Sequence, residues 1–175
     1  MTNESNMNSA TITEKDRETL RQQLGREPEG AQEILVRDQF GAPRVVRVSP
    51  LVNGKPFGSF YWLSCPRLKK AIDHLEASGL IQKIQSEILE KDDDFYGRLK
   101  KNHEKYIQDR LRYLEQDGLN EQVQENMWES LKERGIGGVQ NFRSIRCLHM
   151  HYAQHLVDEN IIGQYLDEHH KLHEI

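Results

Sequence analysis

The feature that most constrains this chain is a change in the rhythm of its apolar residues at Pro66. Before that proline, EILVRD, RVVRVS and SFYWLS are short runs rich in β-branched and aromatic residues. They are separated by turn-formers: QFGAP after the first, and a loop with Asn53-Gly54 and Pro56 before the third. Such runs suit pleated, half-buried strands. Beyond Pro66, apolar residues recur at spacings of three and four, which marks helices that bury one stripe. The expectation is an α+β fold: a small antiparallel sheet of two or three strands near residues 33–64, in the N-terminal third, packed by a mostly helical C-terminal two thirds.

The helical stripes can be read in turn. Leu68, Ala71, Ile72 and Leu75 form the first, closed by Ser78-Gly79, and Ile81, Ile84 and Ile88 form the second. The acids Asp92-Asp93-Asp94 suit the positive end of a third helix, which carries Tyr96, Leu99, His103, Ile107, Leu111 and Leu114 up to Gly118. Val123, Met127 and Leu131 mark a fourth, Ile145, Leu148, Tyr152 and Leu156 a fifth, and Ile162, Tyr165 and Leu166 a short last one. Thr13 and Asp16 read as the capped start of a further helix ending at Gly25. Residues 1–12 are polar and expected to be a disordered tail; 13–175 are expected to form a single domain.

Composition narrows the partners. With 36% apolar and 30% charged residues and a mean hydropathy of -0.81, the chain suits helices wet on one face. A net charge of -4 exerts no general pull on nucleic acid or an anionic membrane, so neither is an expected partner. No apolar run approaches the ~20 residues of a membrane span, and MTNESNMNSATIT does not read as a secretory leader. The expected compartment is the cytoplasm, where two cysteines read as thiols or ligands rather than a disulfide.

Chemistry-bearing residues concentrate in RCLHMHYAQHL, which holds Cys147, His149, His151 and His155. Thiolate sulfur and imidazole nitrogen are the preferred ligands of zinc, and free of metal they serve as nucleophile and general base. If residues 145–157 are helical, Cys147, His151 and His155 share a row at i, i+4, i+8 and His149 points elsewhere. If extended, Cys147, His149 and His151 align. A helix starting just after Cys147 would free the thiol to turn toward His149. The apolar spacing favours the helical row and ranks His151 above His149 as the partner of Cys147. Against any site stands an equally weighted structural reading, since cysteines and hydrogen-bonded histidines are common in cores. The spacing fits neither a two-cysteine, two-histidine finger nor a CxxC ribbon.

Other segments add candidates. In FYWLSCPRLKK, Cys65 ends a strand just before a proline at the first helical position, where a helix N-terminus favours thiolate. His103, inside an apolar stripe, is expected to be a buried hydrogen-bonded side chain ahead of a distant ligand. His169, His170 and His173 read as a solvated face. In RGIGGVQNFRSIR, Gly137, Gly138, Arg143 and Arg146 form a candidate anion nest, although a helix end with a tight turn explains the same glycines with less. The segment lacks a P-loop lysine, so it gives no sign of nucleotide binding.

The segments FYWLSCP, LEASGLI, GIGGVQ and RCLHMHYAQHL together resemble the bacterial family called domain of unknown function 501, from about Leu24 to Tyr165. The SCP and CLH segments are the most specific. The resemblance implies a housekeeping role, names no reaction, and places Cys65, Cys147 and His149 on the family's own cysteine and histidine positions, which raises His149. Some relatives carry a cysteine pair near the first hairpin turn, where this chain has QFGAP.

Three functions follow. The favoured one is metal binding, with zinc the expected cofactor and Cys65, Cys147, His149 and His151 as ligands, His155 in reserve. The second is a metal-free enzyme with Cys65 as nucleophile and a histidine base. The third is an interaction protein in which these residues are structural.

Overall fold

The computed structural model describes residues 12–175. The expected tail thus lies outside the described residues except for Ile12, which packs beside Leu20, Val46 and Val48. Helix α1 (Glu14–Leu24) opens with a reciprocal cap: Thr13 Oγ1 accepts from the Asp16 amide and the Asp16 carboxylate accepts from the Thr13 amide. Strands β1 (Ala31–Arg37), β2 (Pro43–Val48), β3 (Leu51–Val52), β4 (Lys55–Pro56) and β5 (Tyr61–Leu63) follow. The main sheet is antiparallel in the order β1-β2-β5, with Val45 opposite Leu63 and Val46 opposite Trp62. β3 and β4 form a small separate hairpin. Its turn places Asn53 at φ 52 and Gly54 at φ 71, the left-handed pair that an Asn-Gly turn supplies at least cost.

The central strand β2 is covered on both faces. Val46 and Val48 meet Leu20 of α1 on one side, while Val45 joins Tyr61, Leu63 and the helices on the other. Alternation of period two delivers these residues to opposite layers. The sheet therefore lies between α1 and the helices that follow it.

Those helices are α2 (Pro66–Ala77), α3 (Leu80–Ile84), α4 (Asp93–Gln116), α5 (Trp128–Glu133), α6 (Leu148–Val157) and α7 (Ile161–His170). Pro66 occupies the first turn of α2, as expected, and Asp92 caps α4 by accepting from the Phe95 amide at 2.9 Å. The 24-residue α4 presents Tyr106 and Tyr113 to Phe60 and Tyr61, with the Phe60 and Tyr106 rings stacked at 4.2 Å. Helix α6 lies against β5, and its start reaches the side of α2. Among the described residues no helix is long and apolar enough to cross a membrane.

Three stripes resolve differently from the expectation. The second helix is interrupted: α3 ends at Ile84 and Ile88 sits in a π-helical turn, Gln85–Leu89. The fourth is reduced to α5, with short 3-10 turns carrying Val123 and Met127 toward it. The fifth begins at Leu148, not Ile145. Ile145 is buried, but its amide is satisfied by Gln85 Oε1 at 2.7 Å instead of by a helical turn. A backbone bonded by side chains of other elements need not become helical to be buried.

Candidate metal centre at the start of helix α6

Cys147 has extended backbone, φ -155 and ψ 124, and stands at the N-cap of α6. Of the three geometries open to this segment, a helix beginning just after Cys147 is the one adopted. The thiol accordingly turns to His149, with Sγ 3.5 Å from Nδ1. The helical row that favoured His151 does not form, because Cys147 is not in the helix.

Three further groups converge here from α2. Glu76 Oε1 lies 3.3 Å from His149 Nδ1 and accepts the Leu148 amide at 2.6 Å. That amide is one of the unpaired donors at the start of α6, so the carboxylate both caps the helix and is held in place by it. On the other side of the ring, His149 Nε2 is 3.2 Å from the Lys69 carbonyl and 3.1 Å from Asp73 Oδ1. In the neutral ring that donates from Nε2 to these oxygens, Nδ1 is the lone-pair atom facing Cys147 and Glu76; in the imidazolium Nδ1 donates to them instead. The ligand atoms of Glu76, Cys147 and His149 all lie within 4.8 Å of one another.

Electrostatics follow the geometry. Burial pulls the His149 pKa down, but the Cys147 sulfur, the Glu76 charge and the Lys69 carbonyl more than offset it, and the imidazole is raised to about 9. His149 and Cys147 line a groove of about 480 Å³, while Glu76 sits behind them. The half-buried cluster is open on the groove side.

The remaining candidates are placed elsewhere. Cys65 caps α2 with no side-chain bond to the helix, and it is not one of the three converging groups; both cysteines are free thiols. His151 is buried, with Nδ1 3.3 Å from Asn160 Nδ2. His155 pairs with Asp167, Nε2 to Oδ2 at 2.9 Å, and its Nδ1 accepts the Asn160 amide. His103 is buried and accepts the Ile136 amide at 3.0 Å, as its place in an apolar stripe suggested. In the glycine turn, Gly137 and Gly138 have φ 74 and 73. Arg143 points away from that turn, bonding the Leu89 carbonyl and lying 3.7 Å over the Tyr96 ring. Arg146 reaches the groove.

Glu76 and Asp73 were missed from sequence. A signal existed: Lys69, Asp73 and Glu76 are spaced by four and three, one face of α2 beside its apolar stripe. A polar helix face is usually only solvated, so nothing local set this one apart.

No curated protein and no solved structure matches the chain. A family model described as protein of unknown function, DUF501, matches residues 34–168, which include every residue of the Glu76, Cys147 and His149 cluster. With most of its length matched, the chain belongs to the DUF501 family.

Proposed function

We propose that this protein binds a transition metal, zinc by preference, through Cys147 Sγ, His149 Nδ1 and Glu76. The observation that carries the reading is the pair of distances around Nδ1. Zinc–sulfur bonds of about 2.3 Å and zinc–nitrogen or –oxygen bonds of about 2.0–2.1 Å give tetrahedral edges of ~3.5 Å between S and N and ~3.3 Å between N and O. The corresponding separations are 3.5 and 3.3 Å. The supporting shell agrees: a ligating imidazole is normally oriented by donation from its other nitrogen to a carbonyl or carboxylate, the role that Lys69 O and Asp73 fill. Three protein ligands with a fourth position toward a groove is the pattern of catalytic rather than structural zinc.

A second reading has its own support. The same contacts suit a metal-free imidazolium–thiolate pair, with Asp73 orienting the ring and the sulfur 3.5 Å from Nδ1. The nucleophile is then Cys147, not Cys65.

One set of measurements separates them. Protein prepared without a histidine tag is analysed for metal, then melted with and without a strong chelator. The metal reading expects about one equivalent of zinc, and a melting temperature lowered by chelation. It also expects loss of the metal in Cys147→Ser and His149→Ala, weaker binding in Glu76→Gln, and no change in His170→Ala. Wild-type protein that cannot be loaded with zinc, ignores the chelator and is alkylated at Cys147 by iodoacetamide well below pH 8 would overturn it for the thiolate reading.

A further inference from the structure

The groove beside the cluster has a composition of its own. It runs along the outer edge of β5, where Trp62 faces the α1 side and Tyr61 and Leu63 the helix side, and three cations reach it: Arg26, Lys69 and Arg146. Among the described residues none of the three forms an ion pair with a carboxylate. The nearby acids Asp73 and Glu76 are instead directed at His149 and the Leu148 amide. Lys69 Nζ has one contact, the Gln23 carbonyl at 3.3 Å. Arg26 lies over the Trp62 ring at 4.5 Å, which makes a flat cationic shelf at the groove wall. Elsewhere Arg47 pairs with Asp117 and Glu33 and Arg37 with Asp16, whereas buried Arg110 bonds only the Leu131 and Arg134 carbonyls. What sets these three apart is that they reach one largely apolar groove.

We infer that this groove binds an aromatic or similarly flat organic phosphate, its ring on the Trp62–Arg26 shelf and its phosphate between Lys69 and Arg146. The largely apolar lining favours a flat body that gains by leaving water. Convergence of several cations calls for more than one negative charge, which a phosphate monoester carries near neutral pH and a carboxylate does not. About 480 Å³ accommodates a ligand of that size. The inference goes beyond the metal proposal, because recognition by these side chains needs no metal.

The test uses 1-naphthyl phosphate as probe, with 1-naphthol and inorganic phosphate as its two halves, titrated calorimetrically into full-length protein both zinc-loaded and chelated. The phosphate ester should bind at least tenfold more tightly than either half, with affinity falling as salt rises. Lys69→Met keeps the stem and removes the charge, and Arg146→Ala removes an exposed cation. Each should weaken binding at least fivefold, while Lys132→Ala, whose cation lies over Trp128, should leave it unchanged. The indole N–H resonance of Trp62 should shift on titration while that of Trp128 stays in place. Binding that persists in chelated protein supports the groove even if the metal proposal fails. An ester that binds no better than naphthol, or equally well to both groove variants, overturns the inference.

Discussion

At the scale of single residues, the most consequential pair outside the candidate centre is His103 and His151. Both are buried, with ring centroids 5.6 Å apart, and each leaves Nε2 buried without a hydrogen-bond partner. Burial pushes His103 down to about 4, only partly opposed by the Phe142 backbone. Burial, with His103 as neighbour, pushes His151 to about 3. Both folded values lie below the ordinary 6.5, so below that pH the unfolded chain binds protons that the folded one refuses. Stability should be fully present above about pH 6.5 and fall as pH drops toward 4, by up to ~1.4 kcal/mol per pH unit for each histidine. Melting temperatures from pH 7.5 to 4.5 test this. His103→Asn with His151→Asn should flatten that limb, even though the double variant starts from a lower melting temperature. Asp16 has the complementary signature. Its bond to Arg37 holds its carboxyl well below the usual range, so its contribution is present above about pH 3.8 and lost as pH falls below that. Arg37→Met should therefore lower stability throughout the range above about pH 3.8 and flatten the acid limb below it.

At the scale of elements, the decisive boundary is the start of α6. The Gly135–Val139 turn delivers the loop that leads to it, and Gly135 packs on His103. A Cβ there would overlap the His103 ring, whose Nδ1 must meet the Ile136 amide. Gly135 has φ -79, so any cost of a side chain is steric rather than conformational. Gly135→Ala should destabilise by about 1–3 kcal/mol, read from urea unfolding, because a buried ring has little room to yield. Helix α4 offers a milder comparison. Asp92→Ala removes the bond to the Phe95 amide and should cost ~1 kcal/mol while leaving zinc content and groove binding untouched. The same element logic explains Cys147. Glu76 takes over capping of α6 from another helix, which lets Cys147 remain extended and aim its sulfur at His149.

At the scale of the whole molecule, Arg47 ties the sheet to the end of α4. Its guanidinium is 2.8 Å from Asp117, also reaches Glu33, and lies over the Tyr113 ring. Asp117→Ala leaves a buried cation with one partner fewer and should cost about 1–3 kcal/mol. Urea unfolding should remain one transition with an unchanged slope if sheet and helices unfold together; two separated transitions would refute that coupling. The α+β architecture was legible in the chain because strand and helix periods are local properties, and Pro66, Asn53-Gly54 and Asp92 are local punctuation. The clustering of thiol and imidazole between Cys147 and His155 was legible as well, but local spacing ranked His151 above His149. Local pattern could not tell that Ile145 is buried without being helical, since Gln85 supplies its hydrogen bond from 60 positions away. Nor could it single out Glu76, which reaches the Leu148 amide across 72 positions. Residue types and their periods determine which elements form. Which thiol, imidazole and carboxylate meet is decided by packing α6 onto β5 and α2, because that geometry depends on contacts between distant parts of the chain.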